Sequence, residues 1–404
     1  MPAQPPSRRS RAPWVLDPTI AFLNHGSFGA CPAPVLEAQQ RWRERMEAEP
    51  VRFLDRELEG LLDEARADLG AFLGADPAGL AFVPNATTGI ASVLASLRFR
   101  RGDELLTTDH EYNATLNALA RAAERDGARV VIARIPFPID GPDAAVDALV
   151  GAVSRRTRLV LVSHVTSPTA LVLPVERVVA WFERRDIPVL VDGAHGPGML
   201  PLALDALGAS YYTGNAHKWL CAPKGAAFLH VRADRRPAIR PLPVSHGAND
   251  PRTDRPRFRL EWDWTGTADP SAWLSIPTAI RVLGALKPGG WPELMASNRA
   301  LAVAARDRLA GALQVPPPAP DGMLGSMAAM ALPLGPAEEE RATRLQDRLV
   351  ADRVEAPIVG WPVRAARRTA FPDAWLVRVS MQAYDDLDDV ERLVDALERG
   401  LAGD

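Results

Sequence analysis

Residues 188–225 read PVLVDGAHGPGMLPLALDALGASYYTGNAHKWLCAPKG, and this segment contains two short apolar runs that are typical of buried strands. The first run, Val189 to Val191, ends at Asp192, which is followed by small residues. The second run, Tyr211 to Thr213, leads through small residues to Lys218. The segment therefore places a carboxylate at the end of one predicted strand and a lysine shortly after the next.

An aspartate and a lysine in these positions suit pyridoxal 5'-phosphate (PLP). The lysine can form a Schiff base with the aldehyde, and the carboxylate can hold the pyridine nitrogen protonated. The protonated ring is then an electron sink for a carbanion at the Cα of the substrate. A lone Asp or Lys is most often a solvated surface residue, but Lys218 follows small residues and precedes Trp219. We therefore predict PLP as the cofactor.

The composition is that of an ordinary soluble globular protein. The chain has 404 residues, of which 47% are hydrophobic and 24% charged, with a net charge of −3. Nothing in these values indicates the concentrated basic surface of a nucleic-acid-binding protein. The two cysteines, Cys31 and Cys221, are too few for a disulfide framework or a cysteine-based zinc site. We predict no metal site.

The first 13 residues are rich in Pro, Ser and Arg, which predicts a disordered tail over residues 1–13. This segment lacks the apolar region of a secretory signal. No stretch approaches the about 18 apolar residues of a membrane span. We predict a cytoplasmic protein without membrane contact.

Strands and helices alternate along most of the chain, which is typical of an α/β fold with a mostly parallel sheet covered on both faces. The predicted strands share apolar, β-branched composition and are Leu80–Val83, Asp103–Thr107, Arg129–Ile135, Arg158–Ser163, Val189–Val191, Tyr211–Thr213 and Ala226–Val231. The predicted helices of this region share apolar residues at helical spacing and are Pro34–Glu49, Val51–Leu73, Ile90–Leu97, Ala114–Asp126, Asp143–Val153 and Val175–Arg185.

Two loops have both a structural and a functional interpretation. Asn24 to Gly29 is a glycine-rich turn, which either needs a positive φ or brings the backbone close to a ligand. Asn85 to Gly89 lies between a predicted strand and a predicted helix. Its threonines could be ordinary helix N-caps or part of a phosphate site at the helix N-terminus. Because PLP needs a phosphate site, we favour phosphate binding for the second loop.

Several motifs in this order resemble the class V branch of fold-type I PLP enzymes, most of all the isopenicillin N epimerase-like group. They are Leu23-Asn24-His25-Gly26-Ser27-Phe28-Gly29, Asn85-Ala86-Thr87-Thr88, Asp109-His110-Glu111-Tyr112, Ser163-His164-Val165-Thr166-Ser167, Val191-Asp192-Gly193-Ala194-His195, His217-Lys218-Trp219, Trp264-Thr265-Gly266-Thr267 and Arg378-Val379-Ser380. The resemblance runs from about residue 14 to the C-terminus.

The resemblance implies the fold-type I PLP-dependent transferase fold. Its large domain, over residues 14–280, has a mostly parallel seven-stranded sheet sandwiched by helices. Its smaller α+β domain spans residues 281–404, and the N-terminal segment packs on it. The resemblance also implies a homodimer with shared active sites.

The resemblance further implies individual roles at a PLP site. Lys218, Asp192 and Tyr112 are the expected catalytic residues: the Schiff-base lysine, the partner of the pyridine nitrogen and the aromatic stacked on the ring. The other expected cofactor contacts are Ala86, Thr87, Asn215 and His217 at the phosphate, His195 and Ser167 near the ring hydroxyl, and Thr267 reaching the phosphate from the neighbouring subunit. Asn215 replaces a serine common in relatives, and Ser167 replaces an asparagine. The expected substrate contacts are Asn24, His25 and Arg378, the last as a clamp for the α-carboxylate.

Three reactions at Cα remain open: epimerisation or racemisation, β-elimination including C–S lysis, and transamination. The resemblance favours the epimerase, whose second proton donor could be Tyr112, His110 or His25.

Three other kinds of protein are disfavoured. A cysteine desulfurase is disfavoured because residues 320–365 contain no cysteine. A PLP-sensing regulator is disfavoured because the first 20 residues are too few for a DNA-binding module. A non-catalytic binding protein is disfavoured by the intact Lys218, Asp192 and Arg378. The expected substrate is an amino acid or a peptide-like molecule.

Overall fold

The structure is a computed structural model that describes residues 11–402. The β-strands of these residues, numbered β1 to β12, are Ala21–Phe22, Leu80–Val83, Glu104–Thr108, Arg129–Ala133, Thr157–Ser163, Val189–Asp192, Tyr211–Asn215, Ala227–Val231, Met327–Ala331, Val354–Glu355, Ile358–Trp361 and Ala374–Ser380. The α-helices, numbered α1 to α14, are His25–Phe28, Ala33–Ala48, Leu58–Leu73, Ala86–Ser96, Asn113–Asp126, Pro142–Gly151, Val175–Glu183, Leu204–Leu207, Arg257–Trp262, Ser271–Leu274, Ile276–Gly284, Gly290–Leu313, Glu339–Ala351 and Leu387–Ala402.

A seven-stranded sheet in the order β2-β8-β7-β6-β5-β3-β4 forms the centre of the large domain. The five strands β3 to β7 are mutually parallel, and β8 pairs antiparallel with both β7 and β2. A parallel neighbour for β7 would need a crossover of a dozen or more residues, but residues 216–226 between β7 and β8 contain no helix. The predicted mostly parallel sheet is confirmed.

The sheet is buried on both faces. Along β5, Leu159 and Leu161 belong to one apolar cluster, whereas Val160 and Val162 belong to another. Because successive side chains of a strand point to opposite faces, the two clusters lie on opposite sides of the sheet. All residues of β6 and β7 are buried, as expected for a parallel sheet covered by helices.

A smaller α+β unit follows, built on the antiparallel sheet β11-β12-β9. Its apolar core includes residues from α12, α13 and α14, together with Ala21 and Leu23 from the N-terminal segment. Strand β1 also pairs in parallel with β10, with Ala21 opposite Val354. The N-terminal segment therefore packs on the small unit. The boundary at residue 280 stays a prediction.

Most of the predicted N-terminal tail cannot be compared with the structure. Residues 1–10 lie outside the described part of the chain. Arg11 Nη2, however, lies 3.0 Å from Asp389 Oδ1 in α14, and Arg11 Nη1 donates to the Ile20 carbonyl at 2.7 Å. The Arg11 side chain is largely buried in this ion pair, so residues 11–13 are held against the small unit.

Three local predictions differ from the structure. The predicted helix Val51–Leu73 contains a π-helical turn over Arg52–Glu57, in which Phe53 is buried against the large core. The predicted turn at Asn24–Gly29 contains the short helix α1, which Asn24 precedes and Gly29 follows. Strands β10 and β11 were not predicted, since they are short and their packing partners are distant in sequence.

Within residues 11–402, no helix is both long and apolar enough to cross a membrane.

Candidate active site

A cavity of about 300 Å³ lies at the carboxyl ends of β5, β6 and β7, where open α/β sheets bind ligands. It collects most of the predicted site residues. The lining residues are Ser27, Phe28, Asn85, Ala86, Thr87, Tyr112, Ser163, Val165, Ser167, Asp192, Ala194, His195, Asn215, His217 and Lys218.

The amine of Lys218 faces this cavity and lies 3.0 Å from Nε2 of His195. Loss of solvation by burial is the main reason why the pKa of Lys218 is lowered to about 7. The positive charge of Arg378 lowers the pKa further, and the negative charge of Asp192 opposes the shift. A lysine is nucleophilic and basic only when neutral. The amine is therefore available for chemistry near neutral pH.

Asp192 ends β6 and is buried. One carboxylate oxygen accepts a hydrogen bond from Thr115 Oγ1 at 3.0 Å, and the other accepts from the Ala194 N–H at 3.1 Å. Burial nevertheless raises the pKa of Asp192, because both partners are neutral and a buried charge is costly. A cation at this carboxylate, such as a protonated pyridine nitrogen, would reverse the shift.

The N-terminus of α4 borders the cavity and contacts two asparagine side chains. Asn85 caps the helix by accepting from the Thr88 N–H at 2.8 Å. Asn215 Oδ1 accepts from the Ala86 N–H at 2.8 Å, which leaves the Nδ2 amide of Asn215 as a donor. His217 Nδ1 lies 3.0 Å from the Ala226 carbonyl, which can only accept, so Nε2 is the free ring nitrogen of His217. Helix N-terminal N–H groups with amide donors suit a phosphate.

Arg378, on β12, is almost fully buried beside the cavity. Its Nη1 donates to the Ser167 carbonyl at 2.6 Å, and its Nη2 donates to Ser27 Oγ at 2.8 Å and to Asn24 Oδ1 at 3.3 Å. Within residues 11–402 the Nε of Arg378 has no partner. Burial lowers the pKa of Arg378 to about 10, and Tyr112 opposes this shift. The guanidinium still carries its charge at neutral pH, with one donor unused.

Some predicted residues lie outside the cavity. His25, predicted as a substrate contact, is fully buried behind Lys218: its Nε2 lies 3.1 Å from the Lys218 carbonyl and its Nδ1 lies 2.7 Å from the Tyr384 hydroxyl. His110 is buried between Thr169 Oγ1 and the Ile135 carbonyl. His25 therefore braces the lysine backbone and His110 braces a loop, and neither side chain lines the cavity.

Two further predicted residues also do not line the cavity. Asn24 acts through Arg378 and Ser27, whose hydroxyl donates to Asn24 Oδ1 at 2.6 Å. Thr267 is exposed and lies away from the cavity of its own chain. The contact of Thr267 with the phosphate of a second subunit stays a prediction.

The loop before Tyr112 contributes a residue that sequence reasoning missed. Glu111 is buried and accepts from the Ser163 N–H at 3.0 Å and from Ser163 Oγ at 2.5 Å. Burial raises its pKa to about 8, and the nearby charge of Asp192 adds to the shift. The sequence signal that could have indicated Glu111 was its position in the Asp109-His110-Glu111-Tyr112 motif, directly after a predicted strand.

The turn after Asn24 approaches the lysine closely. Gly29 has φ +56°, and a Cβ at this position would overlap the carbonyl oxygen of His217. Only glycine fits such a site. The predicted need for a positive φ is therefore confirmed, and this backbone lies against the His217-Lys218 segment. The approach of the turn to a ligand stays a prediction.

The chain offers few alternatives to Lys218. The 404-residue sequence contains three lysines, at positions 218, 224 and 287. Lys224 is exposed and donates to the Gly29 carbonyl, and Lys287 lies between α11 and α12. Lys218 is the lysine whose side chain lines the cavity.

Comparison with known proteins places the chain in a family. Residues 29–393 match the model of the family Aminotransferase class-V. The isopenicillin N epimerase of Amycolatopsis lactamdurans is 38% identical over 95% of this chain and 96% of its own length, and that of Streptomyces clavuligerus is 34% identical over 96% and 97%. A putative L-cysteine desulfhydrase of Oryza sativa subsp. japonica is 32% identical over 95% of this chain and 83% of its own length.

A solved structure has the same fold. A variant of the protein C-DES, with glycine linked covalently to its PLP cofactor, superimposes with a TM-score of 0.77 at 23% identity, over 94% of this chain and 96% of its own. The fold, the family and the fit of the cavity to PLP agree. The chain therefore belongs to the aminotransferase class V family of PLP-dependent enzymes.

Proposed function

We propose that this enzyme is isopenicillin N epimerase-like and removes and returns a proton at the Cα of an amino-acid or peptide-like substrate. The observation that carries the proposal is the half-buried Lys218 amine, which faces the cavity with a pKa of about 7. The choice of epimerisation is supported by the two epimerase relatives, which match over 96% and 97% of their length, against 83% for the desulfhydrase.

The cavity residues divide between the parts of the cofactor. Ala86, Thr87, Asn215 and His217 would hold the phosphate at the N-terminus of α4. The Ala86 N–H would exchange its present acceptor, Asn215 Oδ1, for a phosphate oxygen, and His217 would donate from Nε2 in its protonated form. Asp192 would keep the pyridine nitrogen protonated. His195 and Ser167 would lie beside the ring hydroxyl, Tyr112 against the ring, and Lys218 would carry the cofactor covalently. When bound, PLP supplies an electron sink for negative charge at Cα.

Lys218 is the base in this proposal. Its pKa of about 7 lies near the working pH, where a general base is most effective. The substrate carboxylate would pair with Arg378 through the unused Nε and one Nη, and that Nη would exchange one of its present partners for a carboxylate oxygen. This pairing would hold Cα in front of the lysine amine.

Inversion needs a second proton donor on the other side of Cα. Of the three candidates from the sequence, His25 and His110 are buried away from the cavity, whereas Tyr112 lines it and is 49% exposed. We assign the second donor to Tyr112.

Tyr112→Phe is expected to lower the rate of inversion by roughly 10²- to 10⁴-fold, the typical contribution of one general acid. Exchange of the Cα proton with retention should persist, because Lys218 is unchanged. Chiral chromatography together with deuterium incorporation measures both rates. Tyr211→Phe is the matched control, since Tyr211 is buried in the core on one face of the sheet.

Equal loss of inversion and exchange in Tyr112→Phe would contradict the assignment of the second donor. It would show that Tyr112 serves only to hold the ring.

A β-eliminating lyase is the second candidate, favoured by the similarity to L-cysteine desulfhydrases. Incubation of the holoenzyme in deuterated water with a panel of L- and D-amino acids separates the candidates. An epimerase places deuterium at Cα of both enantiomers and forms neither keto acid nor ammonia. Pyruvate and ammonia would establish elimination instead, and accumulation of pyridoxamine phosphate in a single turnover would establish transamination.

We also propose a cytoplasmic homodimer in which Thr267 contacts the phosphate of the other subunit. The exposed position of Thr267 supports this arrangement. The nearby groove of Val51, Leu54, Leu260 and Trp264 presents apolar surface suited to a subunit contact.

Mixing Lys218→Ala protomers with Thr267→Ala protomers is therefore expected to restore activity, because each hybrid dimer has one site with both native residues. The turnover rate per hybrid dimer should approach half of the rate per wild-type dimer. Activity after mixing that equals the sum of the separate variants, or a fully active monomer at high dilution, would exclude the shared site.

A further inference from the structure

His195 is held between two groups that constrain its two ring nitrogens. The indole Nε1 of Trp219 lies 3.2 Å from Nδ1 of His195, and the amine of Lys218 lies 3.0 Å from Nε2. An indole N–H can only donate a hydrogen bond. Nδ1 of His195 must therefore be the acceptor in this contact.

The tautomer of His195 follows from that contact. A neutral imidazole carries one N–H, and an Nδ1 that accepts leaves the proton on Nε2. Nε2–H then points at Lys218 as a donor, and its acceptor is the lone pair of a neutral amine. The other tautomer would present Nε2 as an acceptor, which favours a protonated amine.

Trp219 is rigidly placed for this contact. Its side chain is fully buried, and its ring packs against His25 with centroids 4.8 Å apart. Gly198, with φ +85°, lies against the Trp219 backbone so closely that a Cβ would overlap it. His195 is 2% exposed, so bulk water does not compete for Nδ1.

We propose that Trp219 is a positioning residue that fixes His195 in the Nε2–H tautomer, so that His195 donates to Lys218 and keeps its amine neutral. In the holoenzyme the same N–H would donate to the ring oxygen of PLP. This second part of the proposal rests on the function proposed above. Lys218 also faces Asp192 and Arg378, which remain when Trp219 is changed.

The test uses the apoenzyme labelled with ¹⁵N in its seven histidines, with the His195 signals assigned by comparison with His195→Gln. In the wild type, the ring nitrogens of His195 should report a proton on Nε2 and none on Nδ1. Trp219→Phe, which keeps an aromatic ring but removes the donor, should give a mixture of the two tautomers. A wild-type His195 protonated on Nδ1, or an unchanged spectrum in Trp219→Phe, would overturn the proposal.

A second readout is the pH dependence of covalent PLP attachment to the apoenzyme, which needs a neutral Lys218. Its midpoint should rise in Trp219→Phe by about half to one pH unit, the size of one hydrogen bond. Trp42→Phe is the matched control, since the Trp42 indole donates to the Leu274 carbonyl at 3.1 Å in a different part of the core. An unshifted midpoint would contradict the role of Trp219.

The two readouts separate this proposal from the reaction assignment. Neither measures turnover, so an error in the choice of epimerisation would leave both unchanged. If Trp219→Phe does not fold, the wild-type spectrum alone decides whether Nδ1 is the acceptor.

Discussion

Lys218→Ala is expected to abolish covalent PLP binding and to lower Cα proton exchange by at least about 10²- to 10⁴-fold, the typical contribution of a general base. The loss should be larger than for any other single change, because this lysine is both the nucleophile for the cofactor and the base. The visible absorbance of the holoenzyme and deuterium incorporation into substrate measure the two effects.

Lys287→Ala is the matched control, because it removes the same side chain at a position between α11 and α12, away from the cavity. It should leave absorbance and exchange within a few-fold of the wild type. A Lys218→Ala enzyme that still exchanges the Cα proton at more than a tenth of the wild-type rate would assign the base to another residue.

The second large effect is expected at Arg378. Removing the guanidinium in Arg378→Met should cost about 2–5 kcal/mol in substrate binding, which corresponds to a KM raised roughly 30- to 5000-fold. PLP should stay bound, because Arg378 contacts Ser167, Ser27 and Asn24 rather than the predicted phosphate residues. Steady-state kinetics and the cofactor absorbance measure the two quantities.

Arg378→Lys separates charge from geometry at this position. Lysine keeps the positive charge but cannot form two parallel N–H···O bonds to a carboxylate, so its KM should lie between those of the wild type and Arg378→Met. An unchanged KM in both variants would place the carboxylate clamp elsewhere.

The sheet and its site edge could be predicted because they depend on local sequence. An apolar run of four to seven residues, such as β5 or β6, predicts a buried strand by itself. Once the strands are parallel, Ser163, Asp192 and Asn215 must share one edge, since each stands at the carboxyl end of its strand. The fold class and the cofactor were therefore accessible from these patterns, and the family from the resemblance of its motifs; all three are confirmed.

The contacts behind Lys218 could not be predicted, because they join residues far apart in the chain. His25 was expected to touch substrate, but its partner Tyr384 lies 359 positions away and turns the imidazole toward the lysine backbone. The Trp219–His195 contact depends on how two loops at the sheet edge pack against each other. No periodicity or motif reports such side-chain orientations.

The antiparallel end of the sheet shows the same limit. Strand β8 runs opposite to the other six strands of this sheet, but its composition is as apolar as theirs, so composition did not reveal its direction. Only the short connection between β7 and β8 could have indicated it, because it is too short for a helical crossover.

The claim that Lys218 carries the cofactor is tested most directly by borohydride reduction of the holoenzyme, proteolysis and mass spectrometry of the peptides. Because the sequence contains three lysines, the reduced cofactor can be attached at only three lysine positions. The account predicts a reduced pyridoxyl group on the peptide that contains Lys218, and none on the peptides of Lys224 or Lys287. A modification on Lys224 or Lys287, with Lys218 unmodified, would contradict it.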